Sequence, residues 1–266
     1  MIGHNHIGKN GRFGNQMFQY AATRGIASNQ QVDFIIPDGP KSDDEFNDEE
    51  NQHKLFMAFN MTGAKNIGLL EAPYRKEASF RFDCELFENC DDNLNLYGYF
   101  QSEEYFTHIE DEIREDFTFK DEILNPCKEM IQSVDNPIAL HVRRTDYVTN
   151  SANHPPCTLE YYEEALKHFD DDRNVIVFSD DPAWCNEQEL FSDDRFLISE
   201  NDDNRVDLCL MTLCSDFIIA NSSFSWWGAW LANRGKVVAP VRWFGTDGYT
   251  KDHDTKDVVP DGWTRI

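Results

Sequence analysis

The sequence predicts an α/β protein whose C-terminal half contains a doubly wound parallel sheet. From residue 137 onward, short apolar runs alternate with longer amphipathic segments, as in β-α-β units. Polar and charged residues follow the apolar runs, and in such sheets the carboxyl ends of the strands meet at one edge. At 266 residues, the chain is long enough to bury one large core or two small ones.

The clearest signal in the N-terminal half is a glycine turn followed by a helix. Residues 11–26 place apolar side chains at helical spacing, and Gly14, Asn15 and Gln16 stand where the helix would begin. The free N–H groups of a helix start would suit an anion or sugar hydroxyls. The alternative is a plain junction in which Asn15 caps the helix. The glycines here do not form the G-x-G-x-x-G fingerprint of dinucleotide-binding proteins.

Weaker patterns predict the other elements of this half. Strands are expected at residues 32–36 and 95–100, a helix at residues 110–119, and an acidic solvated loop at residues 38–50. Residues 124–136, which contain Pro126, are expected to form a crossover into the second half.

A buried strand that begins at Ile138 opens the second half and ends in a cluster of charges. The cluster consists of His141, Arg143, Arg144 and Asp146. Adjacent arginines are costly to bury without anions. One interpretation is a pair of buried salt bridges with Asp146 and other carboxylates. The other is a diphosphate pocket, because guanidinium groups match phosphate oxygens. This stretch alone leaves both open.

The remaining elements alternate regularly. Helices are expected near residues 158–169, 205–215 and 222–233, and strands at residues 174–179, 195–199, 217–220 and 236–241. This order brings further polar residues to the edge that carries the arginines, namely Asp180, Asp181, Asn221, Ser222 and Ser223. The two serines would either cap the next helix or, with its N-terminus, hold a phosphate.

Composition limits the classes of ligand. The formal net charge of -25 repels nucleic acid and anionic lipid, so an anionic ligand would need a local basic pocket. The seven cysteines include no C-x-x-C pair, which argues against a zinc site or a disulfide framework. Neither a signal peptide nor a transmembrane run is apparent. We therefore expect a cytoplasmic protein, with peripheral contact at the inner face of a membrane left open.

Five blocks of sequence carry a family resemblance. They are G-R-F-G-N-Q-M-F-Q-Y-A (11–21), G-Y-F-Q-S-E-E-Y-F (98–106), H-V-R-R-T-D-Y (141–147), F-S-D-D-P-A-W (178–184) and I-I-A-N-S-S-F-S-W-W-G-A-W-L (218–231). In order and content they resemble the α-1,2-fucosyltransferases, glycosyltransferase family 11. The H-x-R-R-x-D motif is shared with α-1,6- and protein O-fucosyltransferases, so it favours GDP-fucose as donor more firmly than any acceptor. The resemblance favours the diphosphate pocket.

The resemblance implies a GT-B-like arrangement of two Rossmann-like halves, with the acceptor between them. Residues 1–125 would form the acceptor side, and residues 137–266 would bind the GDP-sugar. It also implies inverting transfer of L-fucose from GDP-β-L-fucose to the 2-hydroxyl of a galactoside, without metal or cofactor. The expected partners are GDP-fucose and a galactose-containing glycan. The chain departs from the family before the glycine turn, where I-G-H-N-H-I-G-K-N predicts a weak or irregular first strand.

The resemblance also suggests roles for single residues. Without a metal, arginine must offset the charge on the leaving β-phosphate, so Arg143 is the first candidate and Arg144 the second. If one strand runs through both, their side chains point to opposite faces and one of them is structural. The remaining donor contacts would come from His141 and Asp207 at the guanine, and from Asn221, Ser222 and Ser223 near the diphosphate.

The general base is less clearly indicated. Asp146 is the leading candidate, with His154 second. Related α-1,6 enzymes carry a glutamate shortly after the motif, but here Y-V-T-N-S-A-N follows and contains no acid. The pair Asp180-Asp181 resembles a metal-binding D-x-D site. Adjacent acids after a strand more often form a turn or contact hydroxyls, so no metal is expected.

Other functions remain open at this stage. A non-catalytic glycan- or nucleotide-binding module would be expected to lack the reacting groups, yet Arg143, Arg144 and Asp146 are all present. A transferase of another linkage, or one using GDP-mannose, would retain the same donor residues. A nicotinamide oxidoreductase is disfavoured by the missing glycine fingerprint.

Overall fold

The computed structural model describes residues 1–39 and 53–266, which divide by their contacts into two compact units. Unit 1 comprises Met1–Lys120 and His253–Pro260, and unit 2 comprises Asp121–Asp252 and Asp261–Ile266. The sequence-based division assigned residues 253–260 to the second half, whereas their contacts are with unit 1. Most of the acidic loop predicted at residues 38–50 lies outside the described residues.

Unit 1 is built on a sheet of parallel strands. They are β1 (Ile2–Gly3), β2 (Phe34–Ile35), β3 (Tyr74–Lys76) and β4 (Leu94–Tyr97), in the spatial order β2-β1-β4-β3. The inner strand β1 is only two residues long, as the polar residues that follow it predict. β4 ends at Tyr97, before the predicted residue 100, because Phe100 adopts a left-handed φ of 53° that is incompatible with a strand.

One long helix and several short ones cover this sheet. They are α1 (Phe13–Asn29), α2 (Leu55–Ala58), α3 (Cys84–Asn89) and α4 (Glu110–Asp116), with 3-10 turns at Glu103–Tyr105 and Thr107–Ile109. Asp116 at the end of α4 is fully buried. It accepts hydrogen bonds from the Tyr20 hydroxyl at 2.5 Å and the Gly63 N–H at 2.6 Å, and it pairs with Arg24. These contacts fix α4 to α1, because a buried carboxylate must keep its partners.

Unit 2 contains the parallel sheet that the sequence predicts. Its strands are β5 (Ile138–Val142), β6 (Val175–Ser179), β7 (Phe196–Ile198), β8 (Asp216–Ile218), β9 (Val237–Ala239) and β10 (Thr264–Arg265), in the order β10-β9-β8-β5-β6-β7. β5 lies between β6 and β8, and each of its residues is buried. This central position explains its apolar run, since a strand covered on both faces excludes water from both.

Helices pack on both faces of this sheet. They are α5 (Asp121–Ile131), α6 (Thr145–Thr149), α7 (Leu159–Leu166), α8 (Pro182–Asn186), α9 (Asn204–Leu213) and α10 (Ser223–Ala232). Ile138, Leu140 and Val142 of β5 share one core with Tyr162 and Ala165 of α7. His141 therefore lies on the opposite face of the strand. Within the described ranges, no helix is long and apolar enough to cross a membrane.

A helix, α5, occupies most of the crossover predicted at residues 124–136. Ile123 and Cys127, one helical turn apart, are buried, and α5 packs on α9. Pro126 lies inside the helix and lacks the N–H that would bond to the preceding turn. The buried face stabilises the helix enough to offset that missing bond.

Candidate active site

The strand order of unit 2 reverses between β5 and β8. From β5 the chain adds β6 and β7 on one side, and it then returns to place β8 and β9 on the other. Open α/β sheets bind ligands at the carboxyl ends of the strands where the order reverses. Here β5 leads into Arg143, and β8 leads into residues 219–222 and the N-terminus of α10. The predicted cluster thus lies where this fold places a ligand.

Arg143 is held between two carboxylates. Its Nη2 lies 2.6 Å from Asp146 Oδ1, and its Nη1 lies 3.2 Å from Asp180 Oδ2. Its guanidinium carbon also lies 5.6 Å from the ring centroid of Tyr147. The arginine side chain is 15% exposed, whereas that of Asp146 is 42% exposed. Arg143 is therefore a preoriented cation with one sheltered partner and one partner at the surface.

Arg144 has different partners. Its guanidinium carbon lies 3.7 Å from the ring centroid of Trp184 on α8, and its Nε lies 3.4 Å from Asp181 Oδ2. Stacking on an indole stabilises a guanidinium by cation–π attraction and by packing. The two arginines have different partners, but β5 ends at Val142 before both of them, so the condition of one strand through both is not met. The stacked Arg144 is the better candidate for the structural role.

Asp180 organises the turn that follows β5. Its carboxylate accepts hydrogen bonds from the Arg144 N–H at 2.8 Å, the Thr145 N–H at 3.2 Å and the Thr145 hydroxyl at 2.5 Å. Burial alone would raise the pKa of Asp180, but the Arg143 charge and these hydrogen bonds together lower it. The ionised carboxylate anchors Arg143. In the described part of the chain, no three His, Cys, Asp or Glu side chains are grouped so that they could hold a metal ion.

His141 is buried beside α10. Its Nδ1 lies 2.9 Å from the Ser225 hydroxyl oxygen, and its ring lies 5.5 Å from that of Phe224. Burial, opposed by Asp180 and assisted by Arg143, lowers the pKa of His141 to about 3. The imidazole is therefore neutral at physiological pH and has one donor and one acceptor nitrogen.

The loop after β8 is fixed by Asn221. Its Nδ2 donates to the carbonyls of Pro155 at 3.0 Å and Trp243 at 2.9 Å, and its backbone carbonyl accepts from the Tyr147 hydroxyl at 2.9 Å. The two bonds from Nδ2 hold the side-chain amide within unit 2. Both N–H groups of the Asn221 amide thus bond to backbone carbonyls, and Asn221 positions the loop.

The N-terminus of α10 begins at this loop. Ser222 is the N-cap, and its hydroxyl oxygen accepts from the Phe224 N–H at 3.4 Å, so the capping interpretation is confirmed. Ser223 is the first helical residue, where backbone N–H groups carry a partial positive charge. The helix is anchored by buried indole rings in mutual contact, those of Trp226, Trp227 and Trp230. The N-terminus of α10 therefore presents backbone N–H groups in fixed positions.

Asp207 is a buried carboxylate on α9, apart from the arginine cluster. It lies in the first turn of α9 and is buried, and its Oδ1 accepts from the Ser199 hydroxyl at 2.7 Å and from Asn201 Nδ2 at 3.1 Å. Burial raises the pKa of Asp207, and these two hydrogen bonds oppose that rise. Ser199 directly follows β7, so Asp207 is associated with a strand two positions from β5. That separation corresponds to about 10 Å across the sheet.

Tyr147 lies between His154 and Arg143, and its role was not predicted from the sequence. His154 stacks on its ring at a centroid distance of 5.1 Å, and Arg143 approaches the same ring. Burial lowers the pKa of His154, against the attraction of Asp146. The sequence offered one indication of Tyr147, namely its position directly after Asp146. Ser225 was missed as well, although it lies one helical turn after the capping Ser222.

In unit 1 the glycine turn leads into α1. Gly11 has a φ of 90°, a left-handed conformation that suits glycine. α1 begins at Phe13 with Arg12 as its N-cap, so the expectation that Asn15 caps the helix is wrong. The chain turns at Gly11, and Gly14 and Asn15 already lie within the first helical turn.

Asn15 and Gln16 make different contacts in unit 1. Asn15 Oδ1 accepts a hydrogen bond from Gln101 Nε2 at 2.9 Å, in the segment that follows β4. Gln16 Nε2 donates to the Gly11 carbonyl at 3.4 Å, and its Oε1 accepts from the Lys54 N–H at 2.9 Å. Asn15 therefore lies near the carboxyl edge of the unit 1 sheet, while Gln16 braces the turn.

Comparisons with known proteins agree with this architecture. The chain matches the family described as glycosyl transferase family 11 over residues 1–266. It is 30% identical to an α-1,2-colitosyltransferase from Escherichia coli, over 96% of both chains. It is 26% identical to galactoside α-(1,2)-fucosyltransferase 1 from Alouatta belzebul, over 85% of this chain and 65% of that relative.

A solved structure shares the fold at low sequence identity. POFUT1 in complex with GDP aligns with a TM-score of 0.56 and 12% identity, covering 88% of this chain and 94% of the other. The two parallel α/β units thus correspond to the GT-B-like fold of known fucosyltransferases. The match along the whole chain, together with the arginine-bearing sheet edge of unit 2, shows that this protein belongs to glycosyltransferase family 11.

Proposed function

We propose that the protein transfers L-fucose from GDP-β-L-fucose to the 2-hydroxyl of a galactoside, with inversion and without a metal ion. The observation that carries this proposal is the position of Arg143, held by Asp180 at the sheet edge from which α10 also begins. An arginine and a helix N-terminus are the two groups that proteins use most directly to bind diphosphate. The α-1,2 linkage in the names of both relatives supports the 2-hydroxyl as the position of attachment. The GDP in the POFUT1 structure supports a GDP-linked donor.

Donor binding would exchange the partners of Arg143. The β-phosphate replaces Asp146, because an ion pair to a half-exposed carboxylate contributes little and opens readily. Asp180 stays in place, since the backbone and hydroxyl of Thr145 also hold it. The α10 N–H groups and the Ser223 hydroxyl bind the remaining phosphate oxygens, and the capping Ser222 keeps that helix end in place.

The guanine would lie toward α9. The separation of about 10 Å between the carboxyl ends of β5 and β7 suits a nucleoside that spans from diphosphate to base. Asp207 Oδ2 would accept from the guanine amino group and N1–H, while Oδ1 keeps its bonds to Ser199 and Asn201. A contact between His141 and the guanine stays a prediction, and its Nδ1 is already engaged by Ser225.

The chemical step is a single displacement. The acceptor oxygen bonds to C1 of fucose as the bond from C1 to the phosphate oxygen breaks, and the electron pair leaves with GDP. Arg143 stabilises the charge that develops on the β-phosphate. The proton of the acceptor hydroxyl passes to Asp146, which the incoming phosphate has released, with His154 as the second candidate. Attack opposite the leaving group converts the β donor into an α linkage.

The acceptor would be bound by unit 1, through the turn that contains Gly14 and Asn15. The Asn15 amide contacts sugar hydroxyls, since an amide can both donate and accept hydrogen bonds. Gln16 supports that turn through the Gly11 carbonyl.

A second candidate donor is a GDP-activated colitose. It is favoured by the α-1,2-colitosyltransferase, which aligns over 96% of both chains. Colitose lacks the 3-hydroxyl of fucose, so a site that hydrogen-bonds this hydroxyl would reject it strongly.

A donor screen tests the proposal. Purified protein is incubated with GDP-fucose, GDP-colitose, GDP-mannose or UDP-galactose, each with and without a β-galactoside, and released nucleotide is measured. We expect GDP release from GDP-fucose that the galactoside accelerates. Preference for GDP-colitose would select the second candidate, and release from UDP-galactose alone would exclude both.

A further inference from the structure

A tight turn follows β4 at the carboxyl edge of the unit 1 sheet. It comprises residues 98–101 and includes Phe100, whose left-handed φ of 53° is unfavourable for a side chain of this size. Such a conformation persists only where the surrounding structure imposes it. The contacts of the turn therefore indicate which residue imposes it.

Glu77, directly after β3, holds this turn. Its Oε2 accepts from the Tyr99 N–H at 2.7 Å, and its Oε1 accepts from the Phe100 N–H at 2.8 Å. Gly98 leaves space for this approach, because a Cβ there would lie 2.4 Å from the Cβ of Glu77. Burial raises the pKa of Glu77 to about 7, against the effect of the two N–H groups. Both carboxylate oxygens are thus committed to consecutive backbone donors.

The turn connects Glu77 to the start of α1. The Gly98 carbonyl accepts from Gln19 Nε2 at 3.0 Å, and the Tyr99 hydroxyl donates to Asn10 Oδ1 at 3.2 Å. Gln101 Nε2 donates to Asn15 Oδ1 at 2.9 Å. The turn therefore contacts Asn10 beside Gly11, Asn15 in the first turn of α1 and Gln19 in its second turn.

We propose that Glu77 is a positioning residue for the acceptor side of the reaction. By clamping the amides of Tyr99 and Phe100 it fixes Gln101, and Gln101 orients the Asn15 amide. The inference rests on the proposed function and adds to it a residue that none of the sequence motifs indicated. Only a carboxylate provides two acceptor oxygens at this spacing, because an amide replaces one of them with a donor.

The test compares Glu77→Gln with Asp83→Ala in the full-length protein. Asp83 caps α3 in the same unit, accepting from the Leu86 N–H at 3.0 Å, and its carboxylate lies 3.6 Å from Arg75; neither partner belongs to residues 98–101, so its loss lowers stability and leaves the contacts of the turn in place. Four quantities are measured for each variant: hydrogen exchange of the Tyr99 and Phe100 amides, melting temperature, GDP affinity, and kcat/KM for a β-galactoside with GDP-fucose.

At about pH 8, where the wild-type Glu77 is ionised, we expect the two amides of Glu77→Gln to exchange about tenfold faster or more, because one charged hydrogen bond is lost and one donor faces another. The value of kcat/KM for the galactoside should fall at least about tenfold, with GDP affinity within about twofold of wild type. Asp83→Ala should melt earlier while kcat/KM and the two amides stay unchanged.

Three results would overturn the inference. Unchanged exchange of both amides would show that Glu77 does not hold the turn in solution. Faster exchange with unchanged kcat/KM would show that the turn does not serve the acceptor. If Glu77→Gln melts earlier and loses GDP affinity by the same factor as kcat/KM, Glu77 has only a structural role. If wild type transfers no sugar, the proposed function fails, and with it the acceptor role of Glu77, while the amide rates still show whether the clamp exists.

Discussion

Arg143→Lys is the substitution that best separates catalysis from stability. The guanidinium uses different nitrogens for Asp146 and Asp180, at 2.6 Å and 3.2 Å, and one lysine nitrogen cannot reproduce this fork. Removing one electrostatic donor from a transition state typically costs about 10² to 10³ in rate, or about 3 to 4 kcal/mol. We expect single-turnover transfer to slow by about a hundredfold or more, while GDP-fucose affinity falls by about tenfold or less.

The same substitution should change stability only slightly. Asp180 keeps its hydrogen bonds from Arg144 and Thr145, so its charge is not left unpaired. Loss of a partly exposed pair then costs about 1 kcal/mol, a shift of about 2 to 4 °C in a protein of this size. Differential scanning fluorimetry beside single-turnover kinetics measures both effects.

Arg173→Lys provides the matched control. Arg173 is also 15% exposed and pairs with Asp216 at 2.5 Å, but Asp216 begins β8 and thus lies at the amino edge of the same sheet. We expect a comparable shift in melting with normal turnover. If Arg143→Lys melts normally and turns over at a near-normal rate, or if both variants lose turnover equally, the catalytic assignment of Arg143 is refuted.

Three further predictions concern the guanine site, metal use and pH. Asp207→Ala should weaken GDP binding about tenfold by calorimetry, since a buried acceptor is lost; unchanged affinity would remove Asp207 from the guanine site. Transfer should survive EDTA with little loss, because arginine and α10 supply the positive charge; activity abolished by chelation and restored by Mn²⁺ or Mg²⁺ would contradict this. Burial raises the pKa of Glu77 from 4.5 to about 7, so the folded protein binds this proton more tightly than the unfolded chain. Its contribution, about 3 kcal/mol, is fully present below about pH 4.5 and is lost as pH rises through 7. The melting temperature of wild type should therefore fall more steeply between pH 5 and pH 8 than that of Glu77→Gln. Parallel curves of melting temperature against pH would contradict the shifted pKa.

The sheet of unit 2 was predictable because its sequence signals are local. The buried run of β5 and the regular alternation after it define a parallel sheet, and the strand-end rule then locates Arg143, Asp180 and Ser222. The short strand β1 was also anticipated, since its polar neighbours cannot continue a buried strand. Each of these inferences depends on residues that are close in the chain.

The rest depends on contacts between distant segments. The alternation expected of one strand through Arg143 and Arg144 does not apply, because β5 ends at Val142, and the stacking of Arg144 on Trp184 depends on the packing of α8. The N-cap of α1 was misplaced because Gly11, and not Gly14, provides the left-handed turn. No sequence pattern indicated Glu77, because the N–H groups that it binds, those of Tyr99 and Phe100, follow a different strand.

The position and anomeric form of the transferred sugar test the central claim most directly. Protein, GDP-fucose and a β-galactoside are incubated with EDTA, and the purified product is analysed by two-dimensional NMR. We predict an α-linked fucose with a correlation from its C1 to O2 of galactose. A β linkage, attachment at another hydroxyl, or free fucose as the sole product would contradict the proposed reaction.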